Sequence, residues 1–246
     1  MCIIAIFKDG KRPDKATIKR MMDTNRDGVG IAWNTGKNAC FRKGFTTVDS
    51  VEAFIERLTA TAGVGDIVFH ARIGTSGGVS TEKCHPFPVS GCDEQLNRTT
   101  YCGNAPLVFH NGVFSIDIEA GLSDSQTFVK RMIYPLWKAD PKGLLKGRYD
   151  GIINMAVKGS RLVIMYADGW RAYGTGWCEE DEAWYSNSGY KAYTYTRGGW
   201  YDGDWGWEYD REYEEFEKYR KGGWSKASLF GVEKPASKGV RNRDEK

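Results

Sequence analysis

The second residue of the chain is a cysteine behind an initiator methionine. Aminopeptidase removal of Met1, which a small second residue permits, leaves Cys2 with a thiol and a free α-amine. An α-amine titrates near pH ~7.7 to 8.0, so it can accept the thiol proton, and the pair forms a nucleophile with its own base. The competing reading is a small apolar side chain opening a strand, a role that free cysteine also fills.

Two further segments offer chemistry that suits such a nucleophile. Phe69-His70-Ala71-Arg72-Ile73-Gly74-Thr75-Ser76-Gly77-Gly78 closes an apolar run with an arginine and then enters a glycine-rich turn. The guanidinium there is a planar fork that fits a carboxylate, although a charge at a strand end is ordinarily solvated. Val108-Phe109-His110-Asn111-Gly112-Val113 closes another apolar run with Asn-Gly. That dipeptide most often marks a type I′ hairpin. It can instead form an oxyanion hole, with the Asn111 side-chain amide and the Gly112 backbone N–H aimed at one developing negative charge.

The elements that must position these residues follow from the apolar patterning. β-branched and aromatic runs predict strands near residues 2–7, 29–33, 66–73, 106–110, 152–157 and 161–166. Helical spacing joins Ile18, Met21 and Met22 between Asp14 and Asp23, and Val51, Phe54, Ile55 and Leu58 between 49 and 62. Ser123-Asp124-Ser125-Gln126 is a capping box ahead of Phe128, Val129, Met132 and Ile133, with Pro135 expected to disturb the end of that helix. Strands in groups with a few helices between them predict a layered α+β domain rather than a βαβ alternation.

Composition bounds the function classes. The 246 residues carry 35 basic and 32 acidic side chains. Six of the basic and three of the acidic ones lie between Ser225 and Lys246, so residues 1–224 are balanced at 29 of each sign. A polyanion-binding face has to neutralise phosphates, and this balance argues against nucleic acid as a partner. No apolar run approaches the roughly 18 residues of a membrane span, and the five apolar residues from Ile3 to Phe7 ahead of Lys8 are too few for a signal-peptide core. A cytoplasmic protein is expected. Its six cysteines (Cys2, Cys40, Cys84, Cys92, Cys102 and Cys178) are scattered without a CxxC, so no disulfide framework is expected. Spacings of eight and ten between Cys84, Cys92 and Cys102 match no common zinc knuckle, and neither a metal nor another cofactor is anticipated.

MCIIAIF, FHARIGTSGG, CHPF, FHNGVF and LSDSQTF follow one another in the order and approximate spacing of the class II glutamine amidotransferases. Over roughly residues 2–190 the chain resembles this N-terminal-nucleophile family, in its stand-alone bacterial or bacteriophage form, with host cytoplasm as the compartment if phage-encoded. The resemblance implies a four-layer αββα sandwich and release of ammonia from L-glutamine through a γ-glutamyl thioester. By position, Cys2 corresponds to the nucleophile, and Arg72 and Thr75 to the pair that holds the substrate α-carboxylate. Asn111 and Gly112 correspond to the oxyanion hole, and Asp124 to the partner of the α-ammonium. His85 corresponds to a histidine near the glutamine site. The α-amine does the proton work in this family, which leaves His70 and His110 structural roles. One departure is that Ile73-Gly74 follow Arg72 where the family usually places an aromatic or bulky residue.

From Tyr190 the composition changes: twelve of the chain's 33 aromatic residues lie between Tyr190 and Trp224, among glycines and charges. A glutaminase domain over 1–198 and an aromatic, then basic, partly disordered extension over 199–246 are expected, with a short helix over 210–221. The chain has no G-x-x-x-x-G-K-[ST] loop, and the residues after 198 are too few for a second catalytic domain. Ammonia would therefore pass to a separate synthase or amidoligase acting in trans. The alternative is a catalytically idle fold that binds proteins through its aromatic extension.

Overall fold

A computed structural model describes residues 2–74 and 80–191. The chain order is β1 (Ile3–Phe7), α1 (Lys15–Asp23), β2 (Val29–Asn34), β3 (Ala39–Phe45), α2 (Val48–Thr59), β4 (Ile67–Ala71), a 3₁₀ turn (Thr81–Lys83) and β5 (Phe87–Pro88). It continues through α3 (Asp93–Leu96), β6 (Thr100–Gly103), β7 (Leu107–Asn111), α4 (Asp124–Phe128), a π turn (Val129–Ile133) and α5 (Tyr134–Ala139). Last come α6 (Pro141–Leu145), α7 (Asp150–Ala156), β8 (Arg161–Tyr166), β9 (Gly169–Tyr173), β10 (Cys178–Glu180) and β11 (Ala183–Tyr185).

The strands form two antiparallel sheets, one ordered β10-β11-β1-β4-β2-β3-β6 and the other β5-β7-β8-β9. The pleat of β1 divides its side chains between two cores. Ile3, Ala5 and Phe7 pack with Ile18, Met21 and Met22 of α1 and Val51, Ile55 and Leu58 of α2. Ile4 and Ile6 pack with Phe109 of β7 and with Val163 and Met165 of β8. The opposite residues of those strands, Val108, Leu162 and Ile164, pack with Phe128, Val129, Ile133 and Ile153. Every residue of β1 is buried, which is why its sequence reads as an unbroken apolar run.

Both amphipathic helices form where the spacing places them. Asp14 caps α1 by accepting from Thr17 N–H at 2.6 Å, and Thr47 caps α2. The capping box is present at α4, where Ser123 and Gln126 exchange bonds. Pro135 does not end the helix there. The chain widens into a π turn, with Tyr134 N–H bonded to Val129 O, and Pro135 falls in the first turn of α5.

Two expectations are corrected. Residues 152–157 are not a strand: Ile153 and Val157 are buried while Ile152 and Met155 are exposed, and this four-residue repeat belongs to α7. A disulfide is present as well, between Cys40 and Cys102. The register of β3 against β6 sets these cysteines directly opposite each other, a proximity that 62 residues of intervening sequence conceal. Thr75 and residues 192–246, with the expected boundary at 198, the extension and its helix, lie outside the described residues. Tyr190 belongs to the domain: its ring stacks on Tyr185 at 3.6 Å and its hydroxyl donates to Glu180 at 2.6 Å. No helix among the described residues is long and apolar enough to cross a membrane.

Candidate active site

Cys2 enters β1 beside the end of β4, where Ile3 pairs with Ala71. That register brings its sulfur against Ile73, whose N–H donates to Sγ at 3.4 Å and whose carbonyl accepts from the thiol at 3.5 Å. Part of Cys2 stays open to solvent, yet the protein around the thiol pushes its pKa up. The Ile73 N–H and the Arg72 charge offset only part of that shift. At neutral pH the group is therefore a thiol and needs a base to become a nucleophile. The Cys2 carbonyl accepts from Asn187 Nδ2 at 2.7 Å, and Asn187 Oδ1 in turn accepts from Gly189 N–H.

Arg72 is not a solvated strand end. It is 5% exposed, and its backbone is clamped on both sides: its N–H donates to Gly28 O at 3.0 Å and its carbonyl accepts from Asp27 N–H at 2.9 Å. Asp27 Oδ2 accepts from Gly74 N–H at 2.5 Å and so fixes the next turn too. A guanidinium held in a buried place is suited to an anionic ligand group, since burial strengthens charge-assisted hydrogen bonds.

Asn111 and Gly112 are not a hairpin loop. β7 pairs with β5 and β8, and the chain leaves Asn111 toward α4. Gly112 has φ +146°, and a Cβ there would run into the Ser160 side chain, so the position requires glycine. The Asn111 carboxamide is buried and lies 2.9 Å from Ser186 Oγ. The same oxygen accepts from Ile4 N–H at 2.8 Å. One hydroxyl thus joins the end of β7 to the strand that begins beside Cys2.

Asp124, buried at the start of α4, accepts from Phe114 N–H at 2.8 Å through Oδ2, while Oδ1 is 3.4 Å from Ser125 Oγ. The carboxylate is thereby fixed to the segment that follows Gly112. The three histidines pack behind these residues. His70 Nε2 donates to His110 O at 3.2 Å, His110 Nδ1 is 2.9 Å from Ser125 Oγ, and the His110 ring stacks on Phe114 at 3.8 Å. His85 is wedged 4.3 Å from the ring of His70 and 4.6 Å from that of Phe87. Burial lowers all three pKa values, His70 and His110 to about 3 and His85 well below its ordinary value. None of them carries charge near neutrality, so none supplies a cation to this site.

Cys102, paired with Cys40, is withdrawn from any metal set with Cys84, His85 and Cys92. No cluster of three or more His, Cys, Asp or Glu among the described residues is placed to hold a metal ion. Residue types alone did not single out Ser186 and Asn187. Their signal is the polar run Ser186-Asn187-Ser188 directly after the apolar β11, where a chain that only needed to end a strand could have used any turn residues.

No family model and no curated protein matches the chain. Among solved structures it is similar to a glutamine phosphoribosylpyrophosphate amidotransferase from B. subtilis complexed with ADP and GMP, at 13% identity and a TM-score of 0.48. It is similar also to a structure described as the allosteric regulatory enzyme of purine biosynthesis, at 14% identity and the same TM-score. Each match covers 75% of this chain and 41% of the other, so the chain spans about two fifths of their length. Function has to be read from the chain's own residues.

Proposed function

We propose that the protein is a class II glutamine amidotransferase that acts on free L-glutamine and uses Cys2, exposed by removal of Met1, as its nucleophile. The observation that carries the reading is the convergence of three strand ends: the Cys2 thiol bonded to the backbone next to Arg72, and Asn111 joined through one oxygen to Ile4. Residues far apart in sequence, each suited to a different part of an amide hydrolysis, meet within one hydrogen-bonded patch. The division of β1 and β7 side chains among three cores is the packing that a four-layer αββα sandwich of the N-terminal-nucleophile type requires.

In the proposed reaction the Cys2 α-amine accepts the thiol proton and the sulfur attacks the side-chain amide carbon of glutamine. The electron pair of the breaking C=O π bond moves to oxygen, where Asn111 Nδ2 and Gly112 N–H stabilise the developing charge. Collapse of the intermediate re-forms C=O and expels the nitrogen, which takes the proton from the ammonium and leaves as ammonia. Water then attacks the thioester, yielding glutamate and the free thiol. Arg72, with Thr75, takes the α-carboxylate, and Asp124 takes the α-ammonium. His85 lines the glutamine site as a neutral ring. Ammonia passes to a separate synthase or amidoligase.

Intact-mass spectrometry of purified protein before and after a glutamine-analogue alkylator tests the reading together with an assay for ammonia and glutamate. Expected are loss of Met1, a single adduct that Cys2→Ala abolishes, and one ammonia per glutamate. Quantitative retention of Met1 in native material would refute the mechanism.

A further inference from the structure

We propose that Ser186 is a positioning residue that turns the Asn111 carboxamide so that its Nδ2, not its Oδ1, is the group left facing away from Ser186. The proposal rests on the reading of Asn111 as an oxyanion donor. Ser186 is completely buried and is pinned to β1 at two points, its N–H donating to Ile4 O at 2.9 Å and its Oγ accepting from Ile4 N–H at 2.8 Å. Its hydroxyl position is therefore set by the strand that starts beside the nucleophile, independently of Asn111.

The hydrogen-bond accounting favours one amide orientation. A hydroxyl has one proton to give, and a backbone N–H can only donate. If Nδ2 faces Ser186 at 2.9 Å, the hydroxyl accepts twice and Asn111 Oδ1 is left buried without a partner among the described residues. If the amide is turned over, Ser186 accepts from Ile4 and donates its proton to Oδ1. Every group on that side is then satisfied. The nitrogen and oxygen of a carboxamide occupy equivalent positions, so the same geometry serves both orientations and only the proton count separates them. The turned form leaves a buried NH₂ with no partner among the described residues, a donor awaiting an acceptor. A developing oxyanion supplies one. The next residue, Asn187, holds the Cys2 carbonyl, so one dipeptide after β11 positions both the nucleophile and the oxyanion donor.

Neutron diffraction from crystals in heavy water reads the orientation directly. Deuterium on Ser186 Oγ should point at Asn111 Oδ1, and an ND₂ group pointing at Ser186 would overturn the proposal whatever the enzyme does. In glutamine hydrolysis, Ser186→Ala should lower kcat by about 100-fold, near the lower end for loss of an oxyanion donor. KM should stay within about twofold, since the lost interaction exists only in the transition state. Ser186→Thr keeps the hydroxyl and should recover most of the rate. Ser186→Ala combined with Asn111→Ala should be no slower than Asn111→Ala alone, and losses that multiply would overturn the proposal. Wild-type protein that releases no ammonia from glutamine would refute the glutaminase reading by itself, and the neutron result would still decide the orientation.

Discussion

Ile73 holds the Cys2 sulfur with both of its backbone groups, N–H to Sγ at 3.4 Å and carbonyl to the thiol proton at 3.5 Å. The contact gives a physical account of the departure at this position. The Ile73 side chain is 36% exposed and the backbone makes the contact, so a bulky residue after Arg72 is not needed to seat the nucleophile. The two bonds also respond differently to ionisation. A thiolate keeps the N–H bond and loses the one to the carbonyl, and the N–H bond pulls the thiol pKa down against the larger upward push of burial, which keeps the sulfur protonated.

Cys2 should therefore react slowly in protein that retains Met1. Its thiol is raised above the ordinary 9.0 by burial, so alkylation by iodoacetamide should climb about tenfold per pH unit from pH 7 to 9 without levelling off. Protein that begins at Cys2 should react faster at pH 8, where an α-amine that titrates near ~7.7 to 8.0 is available as base. A rate for the Met1-bearing form that is already flat below pH 8 would contradict the buried-thiol account.

Arg72 and Asp124 should set KM for free glutamine. Leaving one substrate charge without its partner removes a charged hydrogen bond of about 1.5–3 kcal/mol, a loss of roughly 10- to 150-fold in apparent affinity. Asp124→Asn is the cleaner variant of the second residue, because an amide oxygen can still accept from Phe114 N–H while the charge is gone. N-acetylglutamine, which has no ammonium, should be a poor substrate that wild type and Asp124→Asn turn over about equally. Wild-type turnover of N-acetylglutamine comparable to that of free glutamine would remove Asp124 from ammonium recognition.

The positions that sequence reading placed well are those where local pattern and tertiary role coincide. β1 is apolar because both its faces are covered, Asp14 and Ser123 cap the helices they precede, and α1 shows its core face as Ile18, Met21 and Met22. Local pattern failed where the deciding partner is remote. Residues 152–157 are a short apolar run that suits strand or helix equally, and only the packing of Ile153 and Val157 separates the two. Cys40 and Cys102 meet through sheet register, and Ser186 meets Asn111 across 75 residues. Asn-Gly was ambiguous for the same reason. Its hairpin meaning depends on which strand follows, and β7 finds its partners in β5 and β8.

Acid should unfold the domain through its histidines. In the folded state His70 and His110 titrate at about 3, and His85 also lies well below its ordinary 6.5, all because of burial. Between those folded values and 6.5 the unfolded chain binds more protons, so stability is intact above about pH 6.5 and is lost as pH falls through the window. Near pH 5 the slope should approach three protons, about 4 kcal/mol per pH unit, with little yet added by carboxylates. Urea midpoints taken from pH 7 to 5 measure it. A slope of one proton or less would mean that the cluster admits charge.

Lys43 should produce a second, separate pH dependence. Lys43 is 5% exposed, and its ammonium donates to Glu82 O at 3.0 Å and Pro86 O at 3.2 Å and sits 4.6 Å over the Phe87 ring. Burial lowers its pKa from 10.5 to about 7. Between these values the unfolded chain holds one proton more than the folded chain, so this group makes stability rise with pH from about 7 toward 10.5. Below 7 both states are charged and its contribution is constant. Lys43→Met keeps the stem and removes the titration, at the cost of two unserved carbonyls. The stability difference between wild type and Lys43→Met should thus shift toward wild type by about 1.4 kcal/mol per pH unit from pH 7.5 to 9.5. Tyrosines and thiols remote from Lys43 affect both proteins and cancel in the difference, whereas the Cys84 thiol feels the Lys43 charge and does not cancel fully. The segment that Lys43 serves also carries His85, whose carbonyl packs so close to Gly30 that a Cβ there would collide with it. Loss of the ammonium bonds should accordingly loosen His85 against β2 and lower glutaminase turnover at every pH. A difference in stability that does not vary with pH would show that the lysine keeps its ordinary pKa and its charge throughout.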